Sequence, residues 1–464
     1  MTHLSLTAAD VATAAGGHVV SGDPSTPVAG VSIDSRTLAP GDFFIAIRGE
    51  RFDGHAFVAD VLAKGAAGVV VEKAGRGGGT AAVIEVTETT RALQDLARFV
   101  RRQSGTRIVA ITGSAGKTTT KEICAEMLSA KYRVFRNKGN LNNHIGLPLS
   151  LLELRSGPEV AVVELGMNHP GEISTLVGIA QPEVRVWTNV GDAHIGFFAS
   201  ADAIADAKGE LLEQARPGDV LVANADDSRV MARARAFAGR LVTFGIEAPA
   251  DVRTRNVEMR GLEGTRATVQ TPAGEFQLQT PLLGMGNLSN VLAATAVAVT
   301  LDVPLQAIAD RASSLRAAHH RGELLRLPGG VTLIDDSYNS SPTALKQSLG
   351  MVGAATGSAR KIAILGEMLE LGDHATRLHQ ECGRAAAAAG LDFLIAVGGD
   401  AARELSAAAV AAGLLSAHAS HVPTKHEALD LAVQRVRPGD LVLVKGSRGI
   451  GLDAVVERLK AEFA

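Results

Sequence analysis

The stretch Val109–Glu122, VAITGSAGKTTTKE, constrains the fold more than any other part of the chain. The apolar run Ile108 to Ile111 reads as a buried strand, and Gly113 and Gly116 break it. From Lys117 an amphipathic segment sets Ile123, Met127 and Leu128 on one face. Strand, glycine turn and helix start, in that order, make a cradle for polyphosphate. Glycines let backbone N–H groups approach the phosphates and the helix N-terminus adds partial positive charge. Lys117 reaches the outer phosphates, and the Thr118 hydroxyl can ligate Mg²⁺. An ATP or GTP site is therefore expected. The general pattern G-x-x-x-x-G-K-[ST] wants a glycine where this chain has Ile111, so the match is to a shorter variant.

A chain of 464 residues is too long for one ordinary core, and at about 100 to 200 residues per domain three domains are expected. Its hydrophobic residues, 46% of the total, form no run near the roughly 18 that cross a bilayer, and the opening MTHLSLTAADVATAAGG has no basic leader. A soluble, cytoplasmic protein without a membrane span is expected. A net charge of −3 provides no basic field for nucleic acid, so an anionic ligand must be met by local arginines and lysines. The two cysteines, Cys124 and Cys382, lie far apart in helix-like segments, which predicts buried reduced thiols rather than a disulfide or a thiolate metal site.

Residues 1–86 read as a small α/β domain with strands at Phe43–Ile47, Val69–Glu72 and Val83–Val86 and a loop at Ala74–Gly79. Arg36, Arg48 and Arg51 stand beside strand ends, where they either clamp a phosphorylated ligand or serve as ordinary surface charge. Residues 87–317 read as a central P-loop domain on a parallel sheet, because strands and helices alternate through it. Two of its apolar runs end in Glu164 and in Asn189, Asp192 and His194, and open α/β sheets bind ligands at such ends. Lys208, in the helix-like ADAIADAKGELLEQA, reads by itself as a solvated lysine. A helix from Gly286 carries Asn287 and Asn290 on one face, where they either hydrogen-bond a base or solvate the helix start. Residues 318–464 read as a Rossmann-like, doubly wound domain whose strands end in glycine, hydroxyl or charged residues.

The segments GSAGKTTTKE, NLNNHIGLPLSLL, ELGMNHPGEI, NVGDAHIGFFAS, AKGEL, LIDDSYNSSP and VKGSRG, in this order over essentially the full length, strongly resemble the Mur ligases. Within that family the pattern is most similar to the members that join D-alanyl-D-alanine to UDP-N-acetylmuramoyl-tripeptide. The resemblance implies an α/β fold of three domains: a small N-terminal domain for the UDP-linked substrate, a central P-loop ATPase domain and a C-terminal Rossmann-like domain. It implies ATP-dependent, ADP-forming peptide-bond synthesis through an acyl phosphate. The product would be the pentapeptide precursor of peptidoglycan, serving cell-wall biogenesis, cell shape and cell division. ATP and Mg²⁺ are the implied cofactors, the two substrates are the implied small-molecule partners, and a monomer is expected.

Residue by residue, the resemblance puts Gly113, Ser114, Ala115, Gly116, Lys117, Thr118 and Thr119 on the ATP phosphates, and Thr118, Glu164 and His194 on Mg²⁺. Lys117, Glu164, His194 and Lys208 form the implied catalytic set. Lys208 matches a lysine that related ligases carbamylate so that it can position a second Mg²⁺. A plain ammonium about 4 Å from a divalent ion would be repelled by roughly 8 kcal/mol at an effective dielectric of about 20, and a carbamate reverses the sign. Asn287, Asn290, Arg321, Asp336, Tyr338 and Asn339 match nucleotide contacts. Ser35, Arg36 and Arg48 match contacts to uridine diphosphate, and Lys445, Ser447 and Arg448 contacts to the acyl phosphate or dipeptide. Two positions depart from the pattern: Gly286, often histidine in the family, and His320, often glycine. A sister ligase that adds the third, diamino-acid residue shares the N-terminal DSR and GDxFxAxxG elements, but the C-terminal third carries no DNPR-type motif. That ligase, a folylpolyglutamate-type synthetase and a nucleotide-dependent switch module remain the other readings.

Overall fold

The computed structural model describes residues 4–49, 52–73 and 80–464; Arg51 and the loop expected at Ala74–Gly79 lie outside them. Among the described residues the chain forms three sheets. The first contains β1 (His18–Ser21), β2 (Val31–Ser32), β3 (Phe43–Ile45), β4 (Gly68–Val71) and β5 (Ala82–Glu85), in the order β1-β5-β4-β3-β2. Only β1 runs antiparallel to its neighbour. The three expected apolar strands are β3, β4 and β5, and their side chains Phe44, Val69, Val71 and Val83 pack with Val61 and Ala46 into one core. The half-buried β1 and two-residue β2 carry too little apolar sequence to announce themselves.

The second sheet holds β6 (Arg107–Thr112), β7 (Val134–Arg136), β8 (Val160–Glu164), β9 (Val184–Trp187), β10 (Val220–Asn224), β11 (Arg240–Gly245), β12 (Val252–Met259), β13 (Thr265–Thr271) and β14 (Gly274–Thr280). Its order is β14-β13-β12-β11-β10-β9-β6-β8-β7. Strands β8, β9 and β10 are buried at every residue, as expected of strands covered on both faces. The parallel sheet expected here gives way at its far end to antiparallel pairing. Pairs β7/β8, β10/β11 and β11/β12 are parallel, but β12, β13 and β14 form an antiparallel meander. The reason is connection length: Pro272 and Ala273 alone join β13 to β14, and a parallel return needs a crossover of a dozen residues or so.

The third sheet holds β15 (Glu323–Arg326), β16 (Thr332–Asp336), β17 (Lys361–Gly366), β18 (Phe393–Val397), β19 (Ala419–Val422) and β20 (Leu441–Lys445), in the order β15-β16-β20-β17-β18-β19. All its pairs except β15/β16 are parallel. Leu333, Ile364, Ile395 and Val442 pack against Ala428 and Ala432 of one helix and Val455 and Leu459 of another.

By internal packing the chain resolves into two compact units. One comprises Met1–Ala110, Tyr132–Arg185 and Glu213–Asp219, and the other Ile111–Lys131, Val186–Leu212 and Val220–Ala464; the division falls inside β6 and β9. Within the first unit the buried Arg155 donates to the carbonyls of Leu4 (3.3 Å) and Val28 (2.6 Å), fastening the edge of the N-terminal sheet. Both cysteines are buried and unbridged. Burial pushes the Cys124 thiol far up and the Cys382 thiol up to about 12. Among the described residues no helix is long and apolar enough to cross a membrane.

Candidate active site

The loop between β6 and the helix Lys117–Leu128 is shaped by two glycines. Gly113 holds φ +152° and Gly116 φ +81°, and a Cβ on either would collide with the Thr188 hydroxyl or the Asn290 amide respectively. Position 111 needs no glycine, because the Ile111 side chain is buried in β6 before the turn begins. Asn189, just past β9, clamps the loop: its backbone carbonyl accepts the Ser114 N–H (3.0 Å) and its Oδ1 the Ala115 N–H (2.8 Å). Thr188 Oγ1 donates to the Ala115 carbonyl at 2.8 Å. This turns two of the amides expected on phosphate toward protein partners. The amides that open the helix, through Thr118 and Thr119, form its first turn, and no side chain caps that end. Such first-turn N–H groups point outward along the axis and favour an anion. Lys117 Nζ donates to the Gly113 carbonyl at 2.9 Å, at the floor of the same loop.

Asn287 and Asn290 lie on the helix Gly284–Thr300, which begins two residues before the expected Gly286. Asn287 donates to the Leu283 carbonyl (2.8 Å). Asn290 donates to Asn287 Oδ1 (3.3 Å) and accepts from Thr120 Oγ1 (3.2 Å). The buried Asn290 thus braces the phosphate loop instead of facing solvent.

His194 sits in left-handed backbone, φ +65°, and its Nδ1 lies 2.6 Å from Glu370 Oε2 as a close contact without hydrogen-bond alignment. Burial, reinforced by the Lys117 and Lys208 ammonium groups, pushes the imidazole below its ordinary range despite the Glu370 carboxylate. The ring is therefore disposed to stay neutral, the form that ligates metals. Lys208 is only 1% exposed, which corrects its reading as a solvated lysine. Its short helix Ala201–Gly209 also buries Ile204, Ala205 and Ala207, leaving no face wide enough to keep Lys208 in water. Glu370, which no motif singled out, also accepts the Gly196 N–H on its carbonyl at 3.0 Å. The loop that carries it is pinned by Met368 N–H on His379 Nε2 (2.9 Å) and Leu369 N–H on Ser447 Oγ (2.9 Å). Ser447 is thus buried and helps to hold this loop.

Glu164 ends β8 as expected, and its Oε1 accepts from Asn142 Nδ2 at 2.9 Å. Asn142 belongs to NLNNHIG, and the next residue, Asn143, caps the helix Gly146–Leu152 by accepting the Ile145 and Gly146 N–H groups. In the third sheet, Lys445 Nζ donates to Asp336 Oδ2 (2.6 Å) and the Asn339 carbonyl (3.0 Å), which ties the ends of β16 and β20. Arg321 lies over the Tyr338 ring at 4.1 Å and Arg448 at 5.7 Å, an aromatic platform between two cations. In the first unit, Arg36 pairs with Asp34 (2.7 Å), and Arg48 bridges Asp53 (3.3 Å) and Glu72 (3.2 Å). The Ser35 carbonyl accepts from Lys64 Nζ at 2.7 Å.

Three family models match in sequence: the Mur ligase family catalytic domain over residues 27–101, the Mur ligase middle domain over 111–298, and the Mur ligase glutamate ligase domain over 320–448. A relative from Synechocystis sp. named UDP-N-acetylmuramoyl-tripeptide--D-alanyl-D-alanine ligase is 38% identical over 436 residues, 93% of this chain and 92% of its own. The crystal structure of MurF from Acinetobacter baumannii superposes with a TM-score of 0.89 at 32% identity, covering 99% of each chain. That of MurF ligase from Thermotoga maritima in complex with ADP gives 0.81 at 29% identity, covering 94% of this chain and 97% of that one. With likeness running through all three sheets and nearly end to end, the chain belongs to the Mur ligase family.

Proposed function

We propose that the chain joins D-alanyl-D-alanine to UDP-N-acetylmuramoyl-tripeptide at the expense of ATP, forming ADP, phosphate and the pentapeptide precursor of peptidoglycan. The observation that carries the chemistry is the grouping of Lys117, His194 and buried Lys208 at a glycine loop that opens onto a helix N-terminus. The choice of acceptor is supported by the full-length relative named for it. A carboxylate oxygen of the tripeptide attacks the γ-phosphorus and the bond to ADP breaks, leaving an acyl phosphate. The dipeptide amine then attacks the acyl carbon, phosphate leaves and the amine proton passes to solvent. Chemistry of this kind depends on positioning and charge neutralisation more than on covalent help.

In this reading the helix-opening amides and Lys117 hold the outer phosphates. The family resemblance reads the Thr118 hydroxyl, the Glu164 carboxylate and the His194 ring as Mg²⁺ donors, and the two oxygens are of the kind that Mg²⁺ prefers. When bound, Mg²⁺ neutralises phosphate charge. Glu370 beside Nδ1 leaves Nε2 of His194 for the metal. Asn142 keeps the Glu164 carboxylate aimed. Lys208 acts as its carbamate, which removes a buried cation from beside a divalent ion and leaves burial and Lys117 to hold His194 below its ordinary range. The Arg321–Tyr338 platform with Asp336 and Asn339 receives the nucleoside of ATP. Ser35, Arg36 and Arg48 receive the uridine diphosphate, and Lys445, Ser447 and Arg448 the acyl phosphate or dipeptide. A reaction that consumes ATP and a UDP-linked precursor belongs in the cytoplasm, and the chain acts as a monomer.

The test is phosphate release from Mg²⁺-ATP with UDP-N-acetylmuramoyl-tripeptide, comparing D-alanyl-D-alanine, single amino acids and no acceptor. Dipeptide-specific stimulation with a pentapeptide product by mass spectrometry is expected. Stimulation by another amine instead would move the chain to a sister ligase. For Lys208, activity that is indifferent to depletion and return of bicarbonate would sink the carbamate.

A further inference from the structure

We propose a second metal site, for a transition-metal cation, at the turn that enters β15, built by His319 and His320 with Asp335. One ring nitrogen of each histidine and one Asp335 oxygen all lie within 4.8 Å of one another. Adjacent side chains on an extended backbone point to opposite sides. Here His320 adopts φ +61°, and the two consecutive rings lie with centroids 3.6 Å apart and planes 34° to each other. A residue that family resemblance expects to be glycine is thus a histidine held in glycine-like backbone, and its neighbour is a histidine as well.

Each ring also carries a carboxylate on the same nitrogen. His319 Nδ1 is 3.0 Å from Glu323 Oε2, and His320 Nδ1 is 2.6 Å from Asp335 Oδ2. A carboxylate only accepts, so in a neutral imidazole this pairing calls for the proton on Nδ1 and leaves the Nε2 lone pair to a cation. That pairing orients histidine ligands at metal centres and raises their basicity. Asp335 is in turn fixed, its Oδ1 accepting the Ser337 N–H (3.2 Å) and hydroxyl (2.6 Å). The Asp335 side chain is 1% exposed and that of His319 69%, so a rigid base lies under an open entrance. His319 and His320 serve as imidazole ligands, Asp335 orients His320 and offsets the cation's charge, and water completes the shell. A pair of imidazole donors suits Zn²⁺, Ni²⁺ or Cu²⁺, whereas the donors read for Mg²⁺ in the proposed reaction are mostly oxygens, and the two sites share no residue. The cation would stiffen the turn that presents Arg321 to Tyr338.

The experiment is calorimetric titration of the full, untagged chain with ZnCl₂, without and with excess MgCl₂. Three variants accompany it: His319→Ala, Glu323→Gln and His320→Gly, the last compatible with the left-handed backbone. One tight Zn²⁺ equivalent that Mg²⁺ does not displace is expected. His319→Ala and His320→Gly should remove it, and Glu323→Gln should weaken it by about 10- to 100-fold. Circular dichroism unchanged in the variants, together with a Zn²⁺ isotherm equal to wild type in His319→Ala, would overturn the site. So would a wild-type chain that binds no Zn²⁺ beyond what His319→Ala binds. Should His320→Gly fail to fold, the exposed His319 decides alone.

Discussion

The glycine loop and the N-terminal arginines are both read as phosphate-binding, yet they are built in opposite ways. The loop is held from behind by Thr188, Asn189 and Asn290, through contacts that a single added methyl at Gly113 or Gly116 would break. The arginines are held by exchangeable carboxylates at the surface. The Arg36 side chain is 86% exposed on Asp34, and that of Arg48 is 59% exposed between Asp53 and Glu72. The Arg36 guanidinium holds the Asp34 carboxyl down to about 2, so that pair stays charged through neutral pH. A loop made of backbone is organised before phosphate arrives, whereas an arginine must trade one anion for another and gains only the difference. Catalysis is therefore expected to be brittle at the loop and tolerant at the arginines.

That contrast can be broken at several levels. The largest loss is expected in the loop: Lys117→Ala should lower kcat/KM about 10³-fold in the phosphate-release assay. Gly116→Val, which drives its side chain into Asn290, should also lower Tm. Wild-type turnover in Gly116→Val would show that the loop is not pre-organised. Next comes Glu370→Gln, expected to cost about 10- to 100-fold in kcat/KM at unchanged Tm, because its carboxylate sits against His194 Nδ1 without supporting a core. A Tm drop that accounts for the lost activity would reduce Glu370 to a structural role. At the other pole, Arg48→Ala should raise KM for the UDP-linked substrate about fivefold and leave kcat alone. A kcat effect as large as that of Lys117→Ala would erase the distinction.

The smallest effect concerns pH. Burial holds His379 below the ordinary imidazole range, so the folded state binds its proton less readily than the unfolded chain does. Its contribution to stability is complete above about pH 6.5 and is lost as pH falls toward the depressed folded value. His379 Nε2 accepts the Met368 N–H, so acid should loosen the loop that carries Glu370. Tm measured from pH 7.5 to 5 should fall more steeply in wild type than in His379→Gln; equal slopes would remove His379 from this account.

Local signals in the chain were legible in proportion to their range. Strands β3, β4, β6, β8, β16 and β20 are continuous apolar runs, and each appears within a residue or two of where periodicity puts it. Half-buried β1, β15 and β19 lack that run and went unseen. The antiparallel meander β12–β14 was readable in principle from its short connections, a cue that the alternating pattern upstream outweighed.

Read linearly, the chain settles the strand–glycine–helix cradle, the ends at Glu164 and His194 and the family motifs, because turn chemistry and side-chain alternation act over a few residues. Folding alone decides that Lys208 is buried, that Glu370 meets His194 and that Asn290 meets Gly116 from 174 positions away. It also decides that Asn189 takes the Ser114 and Ala115 amides for itself. Those pairings join segments whose own sequences carry no trace of each other; only the packing of sheets and helices into one dense interior brings them within hydrogen-bond reach.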